Sequence, residues 1–213
     1  MRVSELLEAR RSIRAFLPKS IEEETLIAIL EAAGKSPSWT NVQPWEVYVA
    51  QGETLDRIKR AYRENYAQNL PDTSETPRPT QWSVCAKARQ NAFFAAIKNE
   101  GGTVADSFVP LNKELFHAPA VVYLCVDRVM SEWSLYDIGL YSQSLMLLAT
   151  EYGLGSIAAV TLAAYPEVLR RELGVPENLK FTLGIALGYA DGEHPINDFR
   201  SDRVPLGETV RFF

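Results

Sequence analysis

The chain has 213 residues, of which 46% are hydrophobic, enough for one well-buried core and without a sign of a second domain. Its 22 Lys and Arg against 27 Asp and Glu give a net charge of -5, which excludes a general nucleic-acid binder because such a partner requires a basic face. The only cysteines, Cys85 and Cys125, match neither a redox pair nor a metal-ligand spacing, so we expect two buried free thiols.

The first residues do not resemble an export signal. The segment from Met1 to Arg11 carries Glu5, Glu8 and three arginines in place of an apolar stretch. No apolar run approaches the length that a membrane crossing requires. The sequence therefore predicts a cytoplasmic protein without a membrane partner.

The N-terminal part alternates helical and extended patterns. Ser20 followed by Glu23 fits a capping box, which predicts the start of an amphipathic helix that Gly34 ends. The predicted elements are a helix over 3–9, an extended stretch over 13–19, a helix over 21–34, a strand over 46–51 and a helix from 53 to about 68.

Prolines mark the next segment as irregular. Pro71, Pro77 and Pro79 lie among Ser, Thr and Asp between residues 69 and 82, which is typical of a mobile surface loop. We expect a lid over about 66–110, with a helix over 83–99, a break at the following glycine pair and a short turn or helix over 109–116.

The C-terminal half contains the most apolar segments. The continuous apolar run from Ala120 to Val126 predicts a strand covered on both faces. Ser131 to Tyr152 is the longest predicted helix, and because it is apolar nearly all round we expect it to be buried. The remaining predictions are a strand over 156–160, a helix over 165–173, a strand over 181–189 and a C-terminal arm over about 190–213, whose apolar end is a candidate for docking on another subunit. Strands interleaved with helices predict an α/β or α+β layered fold.

Arginines gather around a serine near the start of the sequence. Arg10 and Arg14 are four residues apart, so while a helix persists they project to one side and can grip one ligand at two points. Guanidinium groups offer forked donors that match phosphate oxygens, and Arg200 and Arg203 form a second group. The alternative is a solvated set of arginines that complements a helix dipole.

A second motif supplies uncharged hydrogen-bond donors and acceptors. It runs from Ser36 to Trp45, where Pro37 and Pro44 hold the backbone extended and free the side-chain amides to bind a polar heterocycle. The alternative is a polar turn that leads into a strand.

The order and spacing of these motifs resemble those of the FMN-dependent nitroreductase family. The resemblance rests on residues 10–16, 36–45, 153–156, 188–189 and 199–206. Residues 133–139 with Gln143, and the tail from Asn197 to Leu206, are most similar to the nitrobenzoate-type bacterial branch. The resemblance implies one α+β domain over 1–213 with three α/β/α layers, a nitroreductase-like fold whose mostly antiparallel sheet is flanked by helices, and an intertwined homodimer with two FMN molecules at its interface.

The resemblance also implies roles for single residues. Arg14 is expected near N1 and the C2 carbonyl of the flavin, where its charge stabilises the reduced anion. The residues expected at the phosphate are Arg10, Ser12 and Arg203, with Arg200 assisting, and Arg11 is expected elsewhere in the cofactor site. Those expected from the partner subunit are Pro37, Ser38, Trp39, Asn41 and Gln43. Those expected beside the ring are Asn112 (alternatively a turn asparagine), Ala159, Val160 and Thr161, with a backbone N–H directed at N5.

The implied reaction is hydride transfer from NADH or NADPH to FMN, followed by reduction of a nitroaromatic or quinone-type acceptor with ping-pong kinetics. The flavin carries the chemistry, so we predict no catalytic side chain and no metal. The alternatives on the same site are dehalogenation, flavin fragmentation or azoline oxidation, or a non-enzymatic FMN-binding protein. Asp137 and Gln143 are expected to be hydrogen-bonded inside the dimer.

Overall fold

Four antiparallel strands form the sheet in a computed structural model that describes residues 2–213, so that Met1 lies outside the described residues. The sheet order is β1-β2-β4-β3, where β1 is Glu46–Gln51, β2 is Ala120–Asp127, β3 is Gly155–Ala159 and β4 is Leu179–Gly188. The strands predicted from the sequence are confirmed with small shifts at their ends. β3 lies at an edge of the sheet and pairs with β4 from Gly155 opposite Gly188 to Ala159 opposite Gly184.

Helices cover both faces of this sheet. The described helices are α1 Val3–Ala9, α2 Glu23–Ala33, α3 Gly52–Ala67, α4 Val84–Glu100, α5 Gly102–Lys113, α6 Trp133–Glu151, α7 Pro166–Leu173 and α8 Leu206–Thr209. Residues of α2 and α6 form a core on one face, and residues of α3, α5 and α7 form a core on the other. The predicted three-layer α+β fold is therefore confirmed.

Strand β2 explains why both faces are covered. Val121, Tyr123 and Cys125 point into the core with α3, while Val122 and Leu124 point into the core with α6. All five side chains are buried, as a continuous apolar run requires.

Three local predictions were wrong. The capping box at Ser20 does not form, because α2 begins at Glu23 after an N-cap at Glu22 that has no side-chain cap bond, while Ile21 is still extended and buried in the core. Cys85 is exposed, and only Cys125 is buried. The predicted burial of α6 on all sides does not hold in its first turn, where Trp133 and Tyr136 are 61% and 62% exposed although Ser134 is buried.

The expected lid segment is largely helical. Residues 84–113 form a hairpin of α4 and α5, and it turns at Gly101, whose φ of 66° is the left-handed conformation that glycine adopts without a steric penalty. Residues 68–83 form a loop, as predicted. The Glu75 carboxylate anchors this loop by accepting hydrogen bonds from the Phe181 N–H at 2.8 Å, from Arg170 and from Arg128. Motion of a lid stays a prediction.

None of the helices in residues 2–213 combines the length and apolar character that a membrane crossing requires.

Candidate active site

A cavity of about 250 Å³ brings together the two groups of arginines. Its lining includes the predicted phosphate contacts Arg10, Ser12, Arg200 and Arg203, together with Arg11 and with Arg14, which was predicted at the flavin ring. The sequence-distant residues 10–14 and 200–203 therefore share one site, which the sequence alone predicted only through the family resemblance.

The extended stretch after α1 positions the first group. Helix α1 ends at Ala9, so the helical spacing predicted for Arg10 and Arg14 is wrong, and Arg14 lies in extended backbone. Ser12 forms a parallel bridge with Ser156, next to which the Ile13 N–H donates to the Ser156 carbonyl at 3.0 Å. This stretch lies close against β3.

Gly155 permits that close approach. A Cβ at this position would lie 2.6 Å from the Ile13 Cγ1, closer than real Cβ contacts come. The glycine thus lets residues 12–13 lie flush on the edge strand and directs the neighbouring arginines into the cavity.

Arg14 is a nearly buried cation, with 8% of its surface exposed. Its Nη1 donates to the Ser12 carbonyl at 3.2 Å, and its guanidinium lies over the rings of Phe108 and Phe199, 5.4 and 5.9 Å from their centroids. Burial lowers the pKa of Arg14 because it removes water from the charged form. A buried cation in this setting favours an anionic ligand nearby.

The other arginines of the cavity also lack a carboxylate that would balance their charge. Burial lowers the pKa of Arg10, and the positive charge of Arg203 lowers it further. Within residues 2–213, no ion pair with a carboxylate involves Arg10, Arg11, Arg14, Arg200 or Arg203. A dianionic phosphate fits this donor set, since it relieves the repulsion between neighbouring guanidinium groups.

Asn197 is a buried positioning residue that the sequence analysis missed. Its Oδ1 accepts the N–H groups of Arg14 at 2.8 Å and Ala15 at 3.2 Å, and its Nδ2 donates to the carbonyls of Ala15 and Asp191, both at 2.8 Å. Arg11 Nε donates to the Asn197 carbonyl at 2.8 Å, so Arg11 also holds the C-terminal segment. The one signal in the sequence is that Asn197 begins the tail that carries the resemblance.

The residues predicted beside the ring also come together. Asn112 Nδ2 donates to the Phe108 carbonyl at 2.6 Å, and the Thr161 hydroxyl donates to Asn112 Oδ1 at 3.2 Å. Ala159 ends β3, and Val160 begins a short 3-10 turn, Val160–Ala163, so Val160 lies in a turn instead of the predicted strand. Because the Phe108 ring also contacts Arg14, this group adjoins the arginine cavity.

The motif at residues 36–45 lies apart from the arginine cavity. Trp39–Asn41 is a 3-10 turn, and the Trp39 N–H donates to both oxygens of the Asp137 carboxylate at 3.2 and 3.3 Å. Asp137 is thus hydrogen-bonded within its own subunit, whereas the described residues give the Gln143 side chain no hydrogen-bond partner. Pro37, Ser38 and Trp39 line a cavity of about 270 Å³ that shares no lining residue with the arginine cavity.

The backbone of this loop is strained. Thr40, Asn41 and Gln43 have φ values of 47°, 61° and 47°, and for a β-branched residue such as Thr40 this is a genuine outlier. The Gln43 N–H donates to Ser38 Oγ at 2.9 Å and Gln43 Nε2 donates to the Asn41 carbonyl at 3.3 Å, which hold the loop in this shape. Strain retained in an exposed polar loop points to a functional role.

Comparison with known proteins decides the family. The model described as "Nitroreductase family" matches residues 7–189, which span both sides of the sheet and most of the arginine cavity. The chain belongs to the nitroreductase family. The resemblance inferred from the sequence motifs is therefore confirmed.

Relatives of this nitroreductase have similar lengths. "Nitroreductase NfnB" of Mycolicibacterium smegmatis is 34% identical over 97% of this chain and 91% of its own length. "4-nitrobenzoate reductase" of Nocardioides sp. is 29% identical over 97% of this chain and 88% of its own length. The crystal structure of FMN-dependent NfnB from Mycobacterium smegmatis in complex with NADPH covers 99% of this chain and 97% of its own, with 33% identity and a TM-score of 0.89.

No metal centre accompanies the nitroreductase site in the described residues. Residues 2–213 contain no group of three or more His, Cys, Asp or Glu side chains that could hold a metal ion. The His194 Nδ1 accepts the Ile196 N–H at 3.3 Å and so stabilises the local turn.

Proposed function

We propose that this protein is an FMN-dependent oxidoreductase that takes a hydride from NADH or NADPH and reduces nitroaromatic or quinone-type acceptors. The observation that carries the proposal is the arginine cavity, where Arg10, Arg14 and Arg203 meet without a carboxylate partner among residues 2–213. The similar NfnB enzyme is FMN-dependent and was crystallised in complex with NADPH, which supports the same cofactors here.

The phosphate end of the site has donors suited to a dianion. We assign the phosphate to Arg10, Ser12 and Arg203, with Arg200 as an additional donor and Arg11 at the cavity wall. Forked guanidinium donors bind phosphate oxygens in pairs, so each arginine adds geometric selectivity as well as charge. A flavin without phosphate lacks these contacts.

The residues at the ring end of the site would orient the flavin ring and stabilise its reduced form. Bound FMN would supply the redox chemistry, by accepting a hydride from the nicotinamide and passing it to the acceptor. Arg14 would place its charge at the pyrimidine edge, where reduction adds negative charge. Asn112 would bind the same edge, and the backbone from Ala159 to Thr161 would lie beneath the ring and direct an N–H at N5.

The proposal includes a homodimer in which Pro37, Ser38, Trp39, Asn41 and Gln43 reach the flavin of the partner subunit. The position of these residues supports it, because their loop lies with α6 and away from the arginine cavity. Trp39 and Trp133 stack at 6.5 Å between centroids and are 59% and 61% exposed, an apolar surface that a second subunit would cover.

A substitution that introduces a charged side chain into this apolar surface tests the dimer. We expect Trp133→Glu to give monomers by light scattering and to lower FMN occupancy, while Val129→Glu, at an 88% exposed position, leaves both unchanged. A Trp133→Glu variant that stays dimeric and fully loaded contradicts this assembly. A cytoplasmic location is part of the same proposal, and cell fractionation tests it.

Anaerobic reduction tests the activity. The purified protein is loaded with FMN, reduced by NADH or NADPH without oxygen, and reoxidised with nitroaromatics, quinones or halophenols. We expect loss and recovery of the yellow colour with a nitroaromatic or a quinone. Protein that stays colourless with FMN refutes the flavin site, FMN that no nicotinamide reduces indicates a binding protein, and reoxidation by halophenols alone indicates dehalogenation.

A further inference from the structure

A tyrosine of α3 holds the turn that follows β3. Tyr62 is fully buried, and its hydroxyl donates to the Leu162 carbonyl at 2.7 Å, across 100 positions of sequence. The same oxygen accepts the Tyr165 N–H at 3.4 Å. One side chain therefore binds the backbone inside the turn Val160–Ala163 and just after it.

The aromatic rings fix the direction of this hydroxyl. The Tyr62 ring meets Tyr165 edge-to-face at 4.9 Å and Tyr66 at 6.3 Å between centroids. Buried rings in this arrangement have one packed orientation, since neighbouring atoms fill the space on each side. The hydroxyl is thus held toward the Leu162 carbonyl.

Strand β4 restrains the same turn from the sheet side. A Cβ on Gly184 would lie 2.4 Å from the Leu162 Cβ, so the leucine lies directly on the backbone of the strand. The turn is held between this strand and the Tyr62 hydroxyl, and Thr161 adds its bond to Asn112. Its backbone therefore has little freedom to move.

We propose that Tyr62 is a positioning residue for the redox site, acting through the backbone of Leu162 on the turn residues Val160 and Thr161. The inference rests on the proposed function, in which this turn lies beneath the flavin ring. The first N–H groups of a helical turn have no acceptor inside it, and their effect on a ligand depends on where the turn is held. Tyr62 itself lies behind the turn and contacts it through the Leu162 carbonyl.

Tyr123 provides a matched control within the same core. It is as fully buried as Tyr62, but its hydroxyl has no hydrogen-bond partner in the part of the chain that the structure describes. Removing either hydroxyl takes away one oxygen from a buried ring. Only the loss of the Tyr62 hydroxyl breaks a hydrogen bond to the turn.

The test compares Tyr62→Phe with Tyr123→Phe in the FMN-loaded protein. For Tyr62→Phe we expect the anaerobic rate of flavin reduction by the nicotinamide to fall by about tenfold, the effect of one lost hydrogen bond, with a shifted flavin absorption band. FMN affinity should change little, because the phosphate contacts are intact. The KM for the nicotinamide should also change little, because Tyr62 lies behind the turn. Tyr123→Phe should match the parent in rate and spectrum.

A second pair of variants covers the case in which Tyr62→Phe fails to fold. Site-specific 3-fluorotyrosine keeps the hydroxyl and makes it a stronger donor, so at position 62 it should shift the flavin midpoint potential, and at position 123 it should not. Equal rates and spectra for both phenylalanine variants, or equal potentials for both fluorinated proteins, overturn the role of Tyr62. A parent protein that binds no FMN refutes the proposed function instead.

Discussion

The Thr161 hydroxyl donates to Asn112 Oδ1 at 3.2 Å and so joins the end of α5 to the turn after β3. This bond also fixes the orientation of the Asn112 carboxamide, since Nδ2 donates to the Phe108 carbonyl at 2.6 Å. A carboxamide nitrogen carries two N–H groups, so one donor is left for a ligand. In the proposed site, the pair would thus present a fixed donor to the flavin ring.

Asn112→Ala removes this donor and should weaken FMN binding by about tenfold, which corresponds to one hydrogen bond. Thr161→Val should have a smaller effect, because it frees the carboxamide without removing it. Since both act through one contact, the double variant should lose less affinity than the sum of the single losses. Fluorescence titration of FMN measures all four proteins, and additive losses contradict the coupling.

Arg203→Ala tests the phosphate assignment. The variant should bind FMN about 10 to 100 times more weakly, the range for one charge-assisted contact, yet bind riboflavin as the parent does. Arg57→Ala is the matched control, because Arg57 is exposed and pairs with Glu172 at 2.8 Å away from the cavity. Calorimetric titration with both flavins measures the difference, and an equal loss for riboflavin would show that Arg203 does not contact the phosphate.

Asn197→Asp should destabilise the fold by about 3 kcal/mol, because a carboxylate would face the carbonyls of Ala15 and Asp191 in place of the Nδ2 donor. Urea unfolding at neutral pH measures this loss. Asn99→Asp, at an exposed position of α4, should stay within about 0.5 kcal/mol of the parent. An Asn197→Asp variant as stable as this control would be inconsistent with the buried network.

Glu75 gives the fold a defined response to acid. Burial alone would raise the pKa of Glu75, but hydrogen bonds from the Phe181 N–H, Arg128 and Arg170 together lower it below its ordinary value of 4.5. A carboxyl whose pKa is depressed by folding stabilises the protein above pH 4.5, and this contribution is lost as the pH falls from 4.5 through the folded pKa.

Glu75→Gln should therefore lower the free energy of unfolding at pH 7 by about 1–3 kcal/mol and flatten its decline below pH 4.5. Chemical unfolding at several pH values measures both effects. Glu193→Gln, at an exposed position, should follow the parent curve. A parent and a Glu75→Gln variant with identical acid curves would disprove the anchoring role.

Local patterns were sufficient for much of the fold. The run in β2 predicted a doubly covered strand because every side chain from Ala120 to Val126 is apolar. Helix α5 was only partly predicted, because the sequence indicated a short turn or helix over 109–116, whereas the helix begins directly after the glycine break, at Gly102, and ends at Lys113. Tertiary packing on the sheet outweighs these local signals.

The meeting of the two arginine groups in one cavity was predictable from the sequence resemblance, whereas the contacts of the individual side chains were not. The arginines formed a recognisable pattern, but the rings of Phe108 and Phe199 meet Arg14 only through the fold. Asn197 carries no local signal either, since its partners lie in the extended stretch near the start of the chain. Contacts between such distant segments depend on where the sheet places them.

Arg10 and Arg203 line one cavity, although a ribosome adds them at opposite ends of the domain's synthesis. Strand β4 ends at Gly188, so every strand of the sheet has been made before Arg203 is added. A growing chain can assemble its core before it can hold a phosphate at both arginines. Cofactor capture is therefore expected to be the final step of maturation, restricted to chains whose sheet is already in place.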